Sequence, residues 1–407
     1  MISQIIDMIW VGRLGSSSIA GVGIASIFVM VVSSVDMGLN LGSRAMIARY
    51  VGAGDLQRAN NVAGQSIFLG ITWGAIMTAT GILLAEPVLG LFDVESSVVT
   101  EGTAYLRVMF AGWVSMQVLV TGLFAVQSSG DTVKPMGIEI IMRVVHLVLC
   151  PFFVLGWWIF PRLGVSGAAL SNVISNSLGA VIVISLLFSR HTRLRLALSD
   201  FRPVPDIIWR LLKIGIPAFV MKLQKALGDL VLTWIITPFG TLAIASHSLA
   251  LRIEAFLFSI CLGIGGGAGV LVGQNLGAGQ PERAQRSGWV AVGVVEGIMV
   301  ACSISILVWA ENIVGIFTDE SGLVEIGSIF LRIATAGYIL GAIVQVLQYC
   351  ITGAGDTVPT MVASVVMIWV IQLPLAFLLP KINDLGVYGI RWALVAGTLA
   401  GAVLYVT

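Results

Sequence analysis

The tetrapeptide Gly130-Asp131-Thr132-Val133 recurs unchanged as Gly355-Asp356-Thr357-Val358, 225 residues further along the chain. The turn Gly52-Ala53-Gly54 recurs at the same spacing as Gly277-Ala278-Gly279. One offset that holds this widely indicates an internal repeat. Single residues that also find an identical residue 225 positions later are Gly15, Ala20, Gly38, Gly42, Phe92, Gly102, Arg107 and Gly112.

The composition is that of a membrane protein. Of 407 residues, 57% are hydrophobic and only 11% are charged, against about 25% charged residues in a soluble domain. Because the exterior of a soluble protein must meet water, so much apolar surface indicates a lipid bilayer as the surroundings. The net charge of +1 gives no basis for a clustered basic face, so no nucleic-acid partner is predicted.

Each copy of the repeat contains six apolar stretches, and a membrane-spanning helix needs about 20 such residues. We therefore predict an all-α membrane protein with twelve transmembrane helices in two parallel six-helix repeats. The first stretch is too short to cross a bilayer, so we expect a truncated first helix. The stretches are 1–11, 18–42, 62–85, 104–128, 136–155, 165–188, 214–236, 242–272, 288–310, 329–353, 360–379 and 386–407.

Lysine and arginine are concentrated in the loops after even-numbered stretches, for example Arg44, Arg49 and Arg58. The positive-inside rule then places these loops and both termini in the cytoplasm of a multi-pass cell-membrane (plasma or inner membrane) protein. The predicted domains are an N-terminal lobe (1–188), a cytoplasmic linker (189–206) and a C-terminal lobe (207–407).

Two parallel repeats with a site at their interface are typical of secondary transporters. We predict an antiporter that exports small organic amphipathic compounds by rocking of its lobes, and a monomer, since one chain supplies both lobes. Enzymatic activity, catalytic residues, metal ions and cofactors are not expected. A lipid-linked glycan flippase and a structural scaffold remain alternatives. A membrane-embedded transferase is less favoured, because the sequence has no Asp-Asp-x-x-Asp run.

An ionisable residue deep in a predicted span is a functional candidate. Asp7 is the first, interpreted as a proton carrier; the alternative is a carboxylate held by a helix-end donor or by Arg13. His146 is the second, because histidine changes its charge near physiological pH; the alternative is a neutral histidine bonded to a neighbouring helix. Ionisable residues nearer the predicted helix ends are interpreted as structural: Asp36, Arg44, Arg252 and Glu254.

Span five carries Glu139, Arg143, His146 and Cys150 at steps of four, three and four. Helical geometry places these residues on one face, which must point away from lipid. Glu139 and Arg143 are predicted to form a structural ion pair near the cytoplasmic end.

Asn172 and Asn176 lie one turn apart on span six, where they line the same pocket or hold helices together. Lys222, Lys225 and Asp229 lie on span seven and, with Asn176, are assigned to the substrate cleft. Lys225 and Asp229 have the spacing of a helical ion pair. A lysine facing the cleft repels organic cations unless it is deprotonated or paired. This favours either anionic or zwitterionic substrates or a lysine that changes partners during the transport cycle.

The motifs resemble those of the multidrug and toxic compound extrusion (MATE) family. The resemblance rests on Asp7 followed by Val-Gly-Arg-Leu-Gly at 11–15, on the turns at 52–55 and 130–135, and on Gly-Val-Ser-Gly-Ala-Ala at 164–169. It covers nearly the whole chain. It implies twelve helices in two lobes, a central cleft, and efflux driven by protons or sodium ions.

The resemblance also indicates the coupling residues. Family members place an asparagine and an aspartate on helix five, matched here by His146 and Cys150, and a threonine on helix six, matched by Asn172. The acids that another branch carries on helices seven and ten are matched by Lys225 and Gly341. The acidic site of that other branch is therefore expected to be absent here. His146, Cys150 and Asn172 form the predicted coupling site together with Asp7, and their departure from the family pattern argues against sodium and for protons.

Overall fold

The structure, a computed structural model, describes residues 2–92, 94–158, 160–189, 191–382 and 385–406, with side chains from residue 6 onward. Within these ranges every regular element is a helix, which confirms the predicted all-α class. The helices are α1 (Ile2–Val11), α2 (Ser16–Gly52), α3 (Leu56–Gly90), α4 (Ser96–Ala111), α5 (Trp113–Ser128), α6 (Val133–Leu155), α7 (Val165–Phe188), α8 (Pro205–Ile236), α9 (Thr241–Gly277), α10 (Pro281–Gly315), α11 (Ser321–Gly353), α12 (Thr357–Val365), α13 (Leu373–Leu378) and α14 (Gly386–Val406).

These helices form twelve consecutive segments, as predicted. Helices α4 and α5 are one segment bent by 52° at Gly112, and a π-helical stretch, Val366–Gln372, joins α12 to α13. In the described chain, nine segments are long and apolar enough to cross a membrane, and the bent pair makes ten. Helix α1 has only 10 residues, and α8 fails because every 18-residue stretch of it holds more than two charged residues.

The repeat reappears in three dimensions as a pair of equivalent ion pairs. Arg107 on α4 contacts Glu86 on α3, with 3.1 Å between Nη2 and Oε2. The residues 225 positions later, Arg332 on α11 and Glu311 on α10, form the same contact at 3.0 Å. The two halves of the chain therefore share side-chain interactions as well as sequence motifs.

The repeated tetrapeptide forms the turn before a helix in both halves. Gly130 and Gly355 adopt positive φ angles of 99° and 91°, which glycine adopts without strain. The backbone N–H of Lys134 donates to Oδ1 of Asp131 at 3.2 Å. Burial alone raises the pKa of Asp131, but hydrogen bonds from Lys134 outweigh that effect and lower the pKa below its usual value. Asp356 occupies the N-cap position of α12 without a side-chain cap.

The chain divides into two compact units, the first comprising residues up to 51 and 55–213, the second 52–54 and 214 onward. In the first unit α2 crosses α4 closely at Gly21, where an added Cβ would lie 2.8 Å from the backbone nitrogen of Gly102. A larger side chain cannot occupy this crossing. The lobe boundaries and the cytoplasmic location of the linker stay predictions.

The predicted linker is bound to the first unit by α3. The Gln65 amide donates to the carbonyl oxygens of Asp200 and Arg202, both at 2.7 Å, and Asn60 accepts from the backbone N–H of Arg195 at 2.9 Å. Residue 190 of this linker lies outside the described residues.

Candidate functional site

Helices α1 and α6 bring together three of the predicted coupling residues. Nε2 of His146 lies 3.0 Å from Oδ1 of Asp7, and the Cys150 thiol donates to the same oxygen across 3.8 Å. All three side chains are buried, with Asp7 only 4% exposed. Because His146 and Cys150 are four residues apart on one helix, both face α1.

Two further residues complete the surroundings of Asp7. Tyr105 on α4 lies beside the carboxylate, and Ser171 on α7 lies beside Cys150. Neither was predicted from the sequence. The repeat carried a signal for Tyr105, because the equivalent position in the second half is Phe330. Only the first half therefore needs a hydroxyl there.

Arg13 has a partner other than the carboxylate. Its guanidinium lies over the ring of Trp10, 4.6 Å from the ring centre, whereas Asp7 is bonded to His146. The described contacts of Asp7 are thus with the histidine, the thiol and the phenol.

This arrangement can bind one proton with a large change in local charge. With a neutral His146 and an ionised Asp7 the pair carries one negative charge, and an added proton makes its net charge zero. A buried net charge is unfavourable in low-dielectric surroundings. The chemistry of the pair is therefore compatible with proton binding.

The same side chains are also suitable metal ligands. The ligand atoms of Asp7, His146 and Cys150 all lie within 4.8 Å of one another, and carboxylate, imidazole and thiolate are the ligand types of zinc. The direct Asp7–His146 hydrogen bond gives both side chains a partner without an ion. The expectation that no metal is bound stays a prediction.

The other predicted polar residues lie in separate pairs. The Asn176 amide donates to Oδ1 of Asn172 at 2.7 Å on α7. On α8, Lys225 contacts Asp229 at 3.2 Å, and both side chains are largely exposed in the described structure. Their assignment to a substrate cleft stays a prediction.

Three predicted residues remain: Glu139 and Arg143 on α6, and Lys222 on α8. Glu139 is exposed and Arg143 is half-buried, and their ion pair stays a prediction. Lys222 is half-buried and has no acidic partner among the described residues.

The second unit contains a buried charged cluster that the sequence reading missed. The guanidinium of Arg391 on α14 donates to Glu254 on α9 at 2.8 Å and lies 4.8 Å from the centre of the Phe330 ring. Arg391 is 1% exposed, and the buried His247 and Tyr338 lie beside the pair. Glu254 was placed near a helix end, which is wrong, because α9 continues for 23 residues to Gly277.

We expect Tyr105→Phe to change the pH dependence of transport while leaving the fold intact. The substitution removes the hydroxyl that lies beside the Asp7–His146 pair, so the pH profile should differ from that of the parent. Phe330 at the repeat-equivalent position shows that this packing accommodates a phenyl ring. Efflux measured across a pH series, together with a thermal unfolding curve, checks this. An unchanged profile would exclude a role for the hydroxyl.

Comparison with known proteins gives a consistent family. The MatE family model matches residues 1–152 and 217–378. The probable multidrug resistance protein NorM of Thermotoga maritima is 26% identical over 409 residues, covering 99% of this chain and 87% of that protein. The multidrug export protein MepA of Staphylococcus saprophyticus is 25% identical over 97% of this chain and 86% of its own length. An FAD transporter of Shewanella oneidensis is 23% identical, covering 98% and 88%.

Solved structures agree. A MATE structure in complex with MaL6 is 25% identical, with a TM-score of 0.90 over 98% of this chain and 89% of that chain. The Vibrio cholerae MATE transporter VcmN shares the fold at 23% identity, with a TM-score of 0.92 over 99% and 91%. The family model alone spans well over half of the sequence. This chain therefore belongs to the MatE family and is a membrane transporter rather than an enzyme.

Proposed function

We propose that this chain is a proton-driven antiporter that exports amphipathic organic compounds across the cell membrane. The observation that carries the proposal is the buried Asp7–His146 hydrogen bond of 3.0 Å. An ionisable pair inside a membrane-spanning bundle is energetically costly, so its presence indicates a function. Relatives named as multidrug resistance or export proteins support the substrate class.

In the proposed cycle, one proton from outside neutralises the Asp7–His146 pair and its release to the cytoplasm restores the charge. Tyr105 and Cys150 hold the carboxylate through its other contacts. A change of one charge in a buried site biases the packing of the helices that contain it, here α1 and α6. Coupling requires that the substrate favour the opposite packing state.

The remaining assignments belong to the same proposal. Asn172 belongs to the coupling region, and Asn176, Lys222, Lys225 and Asp229 line the path of the substrate. The chain acts as a monomer with both termini in the cytoplasm. Protons are favoured over sodium ions because the coupling set includes an imidazole and a thiol, whereas sodium, a hard cation, prefers oxygen ligands.

The test is efflux of a fluorescent organic cation from proteoliposomes that contain the purified chain. A pH gradient and a sodium gradient are imposed separately at the same membrane potential. Efflux driven by the pH gradient alone is the expected result. Efflux driven only by sodium would contradict proton coupling, and no efflux under either gradient would favour the flippase alternative, which predicts transport of a lipid-linked glycan.

A second candidate substrate class is anionic, and Lys222 is the observation that favours it. A half-buried lysine without an acidic partner among the described residues attracts negative charge, and one relative is named as an FAD transporter. The same vesicles loaded with a fluorescent organic anion test this class. Lys222→Gln should then reduce anion efflux more than cation efflux.

A further inference from the structure

A second carboxylate is buried in the first unit, apart from the Asp7 site. Asp36 was interpreted as a structural residue near a helix end, but α2 continues to Gly52, so Asp36 lies 16 residues before that end. It is 6% exposed. The indole N–H of Trp73 on α3 donates to its Oδ1 at 2.7 Å.

Three more buried polar side chains lie on the helices around Asp36. Asn40 is one turn further along α2, where its amide donates to the backbone carbonyl of Asp36 at 2.9 Å. Gln117 on α5 lies beside the carboxylate, although its amide nitrogen is outside hydrogen-bond geometry. Thr121 is one turn from Gln117 on the same helix. Each of the three is at most 2% exposed.

Hydrogen-bond accounting shows that this buried polar cluster is incompletely paired. The atoms without a partner among the described residues are Oδ2 of Asp36, Oδ1 of Asn40, the amide nitrogen of Gln117 and the Thr121 hydroxyl. Buried polar atoms are nearly always paired, and an ionised carboxylate only accepts hydrogen bonds. One proton on Asp36 converts Oδ2 into a donor and removes the buried charge. Because a buried charge is costly, the burial of Asp36 favours a protonated carboxyl group over an ionised one.

The repeat shows that packing does not require these polar residues. The positions 225 residues after Asp36, Asn40, Gln117 and Thr121 hold Cys261, Gly265, Ala342 and Val346. All four are buried in the second unit, and Ile298 stands where the first unit has Trp73. The same fold thus fills this place with apolar or small side chains. Packing alone therefore does not explain the four polar residues of the first unit.

Charged groups on the neighbouring helices cannot explain an ionised Asp36. Helix α5 has no ionisable side chain. The charged residues of α3 lie at its two ends, where Arg58 pairs with Asp55 at 3.3 Å and Glu86 pairs with Arg107 at 3.1 Å. No described cation on these helices therefore balances a negative charge in the middle of the bundle.

Polar side chains also continue from Asp36 along α2 toward its C-terminal end. After Asn40 comes Ser43, whose hydroxyl donates to the Ser66 hydroxyl on α3 at 2.7 Å. Arg44 follows, with its guanidinium 5.0 Å from the centre of the Phe124 ring. Steps of four and three keep Asp36, Asn40 and Ser43 on one helical face. This face gives a proton a polar route toward the end of the helix.

We propose that Asp36 is a second proton-binding site of the first unit, holding a proton that it exchanges along the Asn40–Ser43 face of α2. This inference goes beyond the proposed function, which assigns proton coupling to Asp7 and His146. It concerns a different carboxylate on a different helix. The ligand is a proton; a sodium ion at the same oxygens is the alternative that the experiment separates.

The test is infrared spectroscopy of the full-length protein in lipid at neutral pH, comparing the parent with Asp36→Asn. The difference spectrum should contain the carbonyl band of a protonated carboxylic acid, shifted by deuterium oxide. Asp36→Cys serves as a second variant, because the repeat-equivalent Cys261 shows that the fold accepts a thiol there. Asp7→Asn is the matched control and should keep the band.

The outcomes are distinct. The inference would be overturned if the difference spectrum between the parent and either Asp36 variant contained carboxylate bands in place of the acid band. Loss of the acid band when sodium is added at constant pH would also overturn it, because sodium would then be the ligand. If the band is assigned to Asp36 but the parent shows no pH-driven efflux, the proposed function fails and this inference stands. If the parent shows pH-driven efflux but no acid band is assigned to Asp36, this inference fails and the proposed function stands.

Discussion

Asp7→Asn is expected to abolish efflux driven by a pH gradient while preserving substrate binding. Asparagine has nearly the shape of aspartate and can still accept a hydrogen bond from His146, but it cannot take up a proton. The buried pair then keeps one charge state throughout the cycle, so a pH gradient does no work on it. Efflux from proteoliposomes should fall to the level of protein-free vesicles, whereas equilibrium binding of the fluorescent substrate should stay within about twofold, roughly 0.4 kcal/mol.

The matched control for this variant is Glu86→Gln, which neutralises a carboxylate of the same unit. Glu86 is largely exposed, and its ion pair with Arg107 is of a kind that contributes at most about 1 kcal/mol. The Glu86→Gln variant should therefore transport like the parent. His146→Gln should resemble Asp7→Asn, because both members of the pair are required. Retained pH-driven efflux in Asp7→Asn would place the proton carrier elsewhere.

Most of the fold was predictable from the repeat, because identical residues at a fixed offset of 225 can be found in the sequence without any structure. The bend between α4 and α5 was not predictable in this way. Gly112 and its equivalent Gly337 are the same residue type, yet only Gly112 ends a helix. In the first unit Val173 of α7 packs against Gly112, where an added Cβ would lie 2.4 Å from a valine methyl carbon. Such packing depends on a distant helix that the local sequence does not specify.

Part of the candidate site was also predictable from the sequence. Asp7 and His146 stand out because ionisable residues are rare in apolar stretches. The same rule applies to Arg391, the one charged residue of α14. Tyr105 could not be found by charge, since tyrosine is common in membrane-spanning segments. The difference from Phe330 at the equivalent position of the repeat marks Tyr105, but its role follows from its position beside Asp7.

Arg391→Met is expected to destabilise the second unit strongly. The guanidinium is 1% exposed and contacts both Glu254 and the Phe330 ring. Its removal leaves the Glu254 carboxylate, 13% exposed, without its positive partner in an apolar interior. Breaking a buried ion pair on one side reduces the free energy of unfolding by about 3–5 kcal/mol. Denaturant unfolding in detergent micelles, followed by circular dichroism, measures the change.

The double variant Arg391→Met with Glu254→Gln shows whether the pair or the packing is responsible. Methionine replaces the stem of arginine against Phe330, and glutamine removes the charge that Arg391→Met leaves uncompensated. If the ion pair dominates, the double variant should recover most of the lost stability, because a buried pair contributes little relative to neutral side chains of similar size. Equal loss in the single and double variants would instead show that Arg391 stabilises the unit through its contacts with Phe330 and the carbonyl oxygen of His247. The buried charge would then have a structural role, unlike the Asp7–His146 pair, whose loss should stop transport without unfolding the protein.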